Sequence, residues 1–304
     1  MMLVSIIITI TLLLLWSIYL PFYKEKKREL VRNEDKCFSD DNKSIEIKKN
    51  NRRAMLFIHG FPTTPFMYKW AADYASSKGY DVYAPLIPTF GSDWRDFVKT
   101  NFSSWYDYID SYYKNLRCKY KEIYVVGVSM GGAMTLKLAQ TNGDMDAIAV
   151  ISAPVVYNSL LRDKIVTNPL GYIARIMKIF IRQIGAKPCT YIKGHNDGDQ
   201  NWHGYKGVFI KQGVSLMYNL KAIRKELYKI DVPMIAIHER TDKTVPFKNM
   251  EILKNETNTK SEFHETTMGN GLKHTHHALL SYDSTKKPLM DKILAFFYNV
   301  HASE

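Results

Sequence analysis

"EIYVVGVSMGGAMTLKLAQ", residues 122–140, decides the fold. The run "EIYVVGV" is apolar and β-branched and predicts a strand. "GGAMTLKLAQ" carries apolar residues at helical spacing and predicts a helix. Ser129 stands between them, with Gly127 and Gly131 on either side. Strand, sharp turn and helix form the setting of a G-x-S-x-G nucleophile elbow. The two glycines let neighbouring backbone pass where a Cβ would clash. The serine then sits exposed at the strand's end, above the positive end of a helix. A serine hydroxyl is a weak nucleophile and needs a base and an oxyanion site.

Around this stretch the same alternation repeats. "AMLFIHG", "YDVYAPL", "DAIAVIS" and "VPMIAIH" are short apolar runs. Such runs suit strands buried on both faces, as in a parallel sheet covered by helices. "FMYKWAADYASSKG" is a helical pattern that ends at glycine. Alternating β and α elements predict an α/β fold with a mostly parallel, doubly wound sheet. Residues 156–226 interrupt the rhythm and show no clear strand. There "YIARIMKIFIRQIG" places Ile173, Ile176, Met177, Phe180 and Ile184 on one face and Arg175, Lys178 and Arg182 on the other. The section reads as an inserted helical cap over the strand ends, with the apolar face lining an acyl pocket or packing onto the domain.

The oxyanion site is sought where an earlier strand ends, at "LFIHGFPTTP". The backbone N–H groups of Phe61 and Met130 are the candidate donors. His59 reads as structural, fixing the loop by hydrogen bonds. The acid is sought after a later strand, in "VPMIAIHERTDKTVP", where Asp242 lies in the turn and Glu239 nearer the strand. A carboxylate there holds the base's imidazole in the working tautomer. The base lies in "GLKHTHHALLSYD", which offers His274, His276 and His277. His277 is nearest the junction with the last helix, "KKPLMDKILAFFYNV", and is favoured, with the other two left open. The chain order is Ser, Asp, His. Three close histidines also raise a metal site, but the chain supplies no convincing further ligands. The cap loop "GHNDGDQNWHG", with His195, Asp197, Asp199 and His203, reads as a polar turn.

These stretches carry a resemblance to the α/β-hydrolase family, and within it to small carboxylesterases and monoacylglycerol lipases. The matching segments are "HGFP", Trp105 followed by "YDYIDSYYKNL", "VVGVSMGG", "HERTDKTVP" and the histidine loop, spread over residues 54–304. The resemblance implies an eight-stranded sheet, a helical cap, and ester hydrolysis through an acyl-enzyme on Ser129. It carries Asp242 over as acid, His277 as base, and Phe61 and Met130 as oxyanion donors, with no cofactor. An N-terminal anchor is not typical of that family.

The first 23 residues contain no charged side chain. Leu3 to Leu20 is nearly all apolar and reads as an uncleaved transmembrane anchor, with Trp16, Tyr19, Phe22 and Tyr23 as an interfacial belt. Lys24, Lys26, Lys27, Arg28 and Arg32 follow, which predicts a cytoplasmic body. Residues 24–53 read as a basic linker ending in a short strand at "SIEIKK". The formal charge of +12 calls for an anionic partner. No nucleic-acid-binding pattern is present, so a lipid surface is expected. Cys37, Cys118 and Cys189 form neither a CxxC site nor an even disulfide set. The reading is therefore a membrane-anchored serine hydrolase of carboxylic esters. Its rivals are a thioesterase, lysophospholipase or acyltransferase on the same triad, or a hydrolase-fold protein that mainly binds.

Overall fold

The computed structural model describes residues 2–19, 25–156, 159–161, 164–167 and 169–302. Helix α1 (Met2–Tyr19) comes first, and β1 (Ile45–Ile47) follows within the stretch "SIEIKK". Then come β2 (Arg53–Ile58), α2 (Lys69–Ser77), β3 (Asp81–Ala84), α3 (Trp94–Phe97) and α4 (Phe102–Arg117). The decisive stretch forms β4 (Glu122–Val128) and α5 (Met130–Thr141), followed by β5 (Ala147–Ile151). The inserted section holds β6 (Ser159–Leu161), β7 (Lys164–Thr167), α6 (Pro169–Phe180), β8 (Ile184–Cys189), β9 (Gly204–Val208) and α7 (Ile210–Lys225). The chain closes with β10 (Met234–Glu239), α8 (Lys248–Glu256), β11 (Ser261–Thr266) and α9 (Lys286–His301).

One sheet dominates, with strand order β1-β3-β2-β4-β5-β10-β11. Every pairing in it is parallel except that of β1 with β3. The four central strands are apolar because both faces are covered. Along β2, Ala54, Leu56 and Ile58 enter one core with α4, α5 and α7, while Met55 and Phe57 enter the other with α2 and α9. Neighbouring β4 repeats the division, sending Ile123 and Val125 one way and Tyr124 and Val126 the other. This is the doubly wound α/β arrangement that the sequence predicts.

Three expectations need correction. The sheet has seven strands among the described residues, not eight. The inserted section is not purely helical, because two antiparallel hairpins, β6–β7 and β8–β9, stand beside its helices. Strands β6 and β7 are only three and four residues long, and β8 and β9 are rich in Gly, Lys and Pro, so none carries the apolar run that marks a buried strand. Finally, α6 is turned about its axis from the face assignment: Arg175 is buried, whereas Ile173 and Phe180 are exposed.

The N-terminal expectation also changes. Among the described residues no helix is long and apolar enough to cross a membrane. Phe22 and Tyr23 of the expected belt and Lys24 of the basic flank lie outside the described residues. The segment that follows is stitched to the body. Asn101 donates to Lys26 O (3.0 Å), Arg28 N–H donates to Ser104 Oγ (2.9 Å), and the Asn42 amide reaches Gly91 O (2.9 Å).

Candidate active site

The elbow is built by backbone sterics. Ser129 takes φ 57° and ψ −124°, a conformation that costs a non-glycine residue about 1–3 kcal/mol. It is held there by its N–H, which donates to Ile151 O (2.8 Å). A Cβ on Gly127 would stand 2.3 Å from Gly131 O, and one on Gly131 would stand 1.8 Å from Ile58 O. No side chain fits at either position. Ser129 itself is only half-buried and caps the start of α5.

The elbow is tied to the strand beside it. Tyr68 Oη donates to Ile58 O (2.7 Å) and accepts Val128 N–H (3.0 Å), clamping the ends of β2 and β4 together. His59 is fully buried. Its Nδ1–H donates to Gly60 O (3.1 Å) and its Nε2 accepts Ile87 N–H (3.1 Å), which fixes one neutral tautomer. Burial lowers its pKa to about 4. The Phe61 and Met130 N–H groups, one after β2 and one at the start of α5, make no hydrogen bond among the described residues. Both are thus free to receive an acceptor.

The histidine loop is built by hydrogen bonds. His277 Nδ1 meets Asp242 Oδ2 at 2.7 Å. Since a carboxylate accepts, Nδ1 carries the proton. His277 Nε2 is buried and has no hydrogen-bond partner among the described residues. Asp242 is itself buried and satisfied: Oδ1 accepts the N–H groups of Thr244 (2.7 Å) and Val245 (2.9 Å), and His238 Nε2 lies 3.3 Å from Oδ2. Burial alone would raise its pKa, but the His277 charge and the bonds from His238 and His277 hold the carboxyl well below the usual carboxylate range. Two hydroxyls place the His277 backbone. Ser152 Oγ donates to His277 O (3.0 Å), and Tyr282 Oη accepts both His277 N–H and Ala278 N–H (3.0 Å each).

The other two histidines have different tasks. His274 is buried, stacks on Tyr282 with ring centroids 3.6 Å apart, and points Nε2 at Asp197 of the cap loop (3.1 Å). Its Nδ1 accepts His276 N–H (3.1 Å). His276 turns away, with Nδ1 on Thr241 Oγ1 (2.6 Å). Glu239, the alternative acid, is fully buried and spent on the N–H groups of Thr241 and Met268. Among the described residues no group of three His, Cys, Asp or Glu side chains could hold a metal ion. The residues that sequence reasoning passed over are Tyr68, Ser152, His238 and Tyr282. Tyr68, Ser152 and Tyr282 act on backbone groups, and His238 acts on Asp242 from within the strand that precedes it, so no local motif marks them.

A cavity of about 530 Å³ opens beside His277, with Phe61 and His277, though not Ser129, in its lining. Phe66 and Trp70 form one wall, and Asp199 and Trp202 of the cap loop form another. Phe61 also leans on Phe97 (5.7 Å), Trp105 (6.1 Å) and Phe209 (6.3 Å), an aromatic cluster behind the oxyanion loop. The arrangement supplies a strained, reachable hydroxyl, an acid-oriented imidazole, two unengaged amide donors and an apolar cleft. That set is suited to acyl transfer.

Known proteins share this fold. The model of the alpha/beta hydrolase family matches residues 55–242. The thermostable monoacylglycerol lipase of Bacillus sp. (strain H-257) is 33% identical over 107 residues, 35% of this chain and 43% of that protein. A carboxylesterase of Bacillus subtilis (strain 168) is 29% identical over 94 residues, 31% of this chain and 38% of that protein. The matched stretches span less than half the length of either relative. Among solved structures, a monoacylglycerol lipase of Paleococcus ferrophilus superposes with a TM-score of 0.63 at 15% identity, covering 84% of this chain and 98% of that one. A structure of the metagenome-derived lipolytic enzymes LipS and LipT gives 0.71 at 19% identity, covering 86% and 98%. At these identities the superpositions speak for the fold. The family match takes in more than half of the sequence and includes both the elbow and Asp242: the chain belongs to the alpha/beta hydrolase family.

Proposed function

We propose that the protein is a serine hydrolase of carboxylic esters, of the carboxylesterase or monoacylglycerol lipase kind, acting through an acyl-enzyme on Ser129. Ser129 Oγ attacks the ester carbonyl carbon while His277 Nε2 takes its proton. The Phe61 and Met130 amides bind the oxygen as it gains charge. The C–O bond to the alcohol then breaks, and His277 returns the proton to the departing oxygen. Water, deprotonated by His277, adds to the acyl carbon; the bond from that carbon to Ser129 Oγ then breaks, His277 returns the proton to Oγ, and the acid leaves. Asp242 keeps Nδ1 protonated and stabilises the imidazolium. The observation that carries this reading is the 2.7 Å His277–Asp242 bond with His277 Nε2 unoccupied, on the one half-buried histidine of the three. The names borne by the matched Bacillus relatives agree with it.

The exposed apolar side chains of α1, among them Leu3, Ile7 and Leu12, further suit attachment to a lipid surface, with the body on the cytoplasmic side. The test is turnover of p-nitrophenyl esters of short and medium acyl chains by wild type and Ser129→Ala, with fluorophosphonate labelling in parallel. Turnover and labelling that both vanish in the variant support the reading. A folded wild type that neither turns over nor labels overturns it. Flotation of the full chain with vesicles tests the lipid attachment.

A further inference from the structure

We propose that the cap carries a docking surface for an anionic bilayer, separate from α1, at the end of α6 and the adjoining end of the β8–β9 hairpin. This surface does not depend on the ester chemistry.

The first observation is apolar exposure where a helix should hide it. Ile179 is 60% exposed, Phe180 79%, Ile184 51% and Val208 58%. They are neighbours, since Ile179 and Phe180 close α6 and Ile184 and Val208 are cross-strand partners. A cluster of large apolar side chains held in water marks an interaction surface.

The second observation is charge. The next registered pair of the hairpin is Lys187 opposite Lys206. Like charges directly opposite destabilise a strand pair unless an anion screens them. Arg182 stands between Phe180 and Ile184. On the adjoining α7, Lys211 has its pKa lowered by burial and then by the positive charges of Arg28, Arg182 and Lys178, with Glu25 the opposing carboxylate. Glu25 also accepts from Ser103 and Asn219. Arg28, Lys178, Arg182 and Lys211 thus gather around the Glu25 carboxylate.

The third observation is continuity. Helix α1, with its exposed Ile6, Ile10 and Leu13, lies against α6. An apolar ridge rimmed by lysine and arginine and continued by an apolar helix fits one occupant. Acyl chains accept the ridge and phosphate headgroups meet the cations. A nucleic acid would leave Phe180 and Ile184 in water.

The surface is wired to the site. The other end of the same strand, β9, is Gly204–Tyr205, where Tyr205 N–H donates to Pro62 O (3.0 Å) and Thr63 Oγ1 donates to His203 O (2.8 Å). Val208 and Gly204 are four residues apart, about 13 Å of strand. Lipid at the ridge therefore sits one strand's length from the loop that carries Phe61.

The test uses the full chain with Phe180→Trp and vesicles of brominated phosphatidylcholine, with or without phosphatidylglycerol. Emission of the introduced indole, taken as the difference from wild type, should be quenched on the anionic vesicles. Lys187→Ala with Lys206→Ala should weaken that binding roughly thirtyfold, at ~1 kcal/mol per lysine near an anionic surface, and leave turnover of a soluble ester unchanged. An introduced indole left unquenched on vesicles that do float the protein would mean that α1 alone touches lipid, and would overturn the proposal. Blue-shifted, concentration-dependent emission of that indole without lipid would assign the ridge to a second copy and overturn it too. Quenching is read without substrate, so the docking surface stands or falls apart from the hydrolase reading.

Discussion

In the proposed reaction the elbow and the histidine loop supply the two halves, and they are held by different physics. Ser129 is fixed by what cannot fit around it: Cβ atoms at Gly127 or Gly131 would collide with backbone carbonyls. His277 is fixed by what is bonded around it: Asp242 at the ring, Ser152 at its carbonyl and Tyr282 at its N–H. Steric fixation is local in sequence and all-or-none. Hydrogen-bond fixation is assembled from the end of β5, the turn after β10 and the segment before α9, and it fails by degrees. The elbow should therefore tolerate nothing, and the histidine loop should lose function stepwise.

The largest effects test the elbow. Ser129→Ala should lower kcat by about 10⁴-fold or more while leaving the melting temperature intact. Gly131→Ala should cost more than about 4 kcal/mol, because the new Cβ overlaps the Ile58 carbonyl and neither backbone can yield. Denaturant unfolding checks it, and a stable Gly131→Ala protein would break the steric half of the comparison.

On the other side, His277→Ala should match Ser129→Ala in kcat, whereas His276→Ala should retain most of the activity. Tyr282→Phe keeps the ring stacked on His274 but orphans two backbone N–H groups, at about 1–3 kcal/mol each if water does not replace the phenol. For a base displaced by a fraction of an ångström, kcat should fall about tenfold with KM little changed. An unchanged kcat would show that Asp242 alone orients the imidazole.

A last effect is a matter of pH. His59 has its pKa lowered to about 4 by burial, against about 6.5 in the unfolded chain. Below pH 6.5 the unfolded state binds a proton that the folded state refuses. This contribution, about 3 kcal/mol, is therefore complete above pH 6.5 and is lost as pH falls toward 4. Denaturant unfolding of wild type and His59→Gln across that window should give a shallower slope for the variant. Parallel slopes would place the acid sensitivity elsewhere.

How much of this was legible follows the same division. The stretch 122–140 declares strand, turn and helix in nineteen adjacent residues, and the fold follows from it. The runs that form β2, β3, β5 and β10 are apolar because both sheet faces are covered. Edge strand β11, "SEFHET", has only half-buried and exposed residues and carries no such signal. In the cap, helical periodicity predicts α6 but not which way it faces, since that depends on what α1 and α7 offer it. The elbow serine and the two amides proposed as oxyanion donors are readable from local pattern. Among His274, His276 and His277, position in the loop yields only a preference, and the geometry separates them by partner: Asp197, Thr241 and Asp242. Those partners lie between 35 and 77 residues away, beyond any local spacing.

The most direct test of the central claim is the rate and site of fluorophosphonate labelling, read by peptide mass spectrometry, in wild type and in His274→Ala, His276→Ala and His277→Ala. A single adduct on Ser129 is expected, formed at near wild-type rate without His276, more slowly without His274, and essentially not at all without His277. Labelling of Ser129 that survives the loss of His277, or an adduct on any other residue, would contradict the claim.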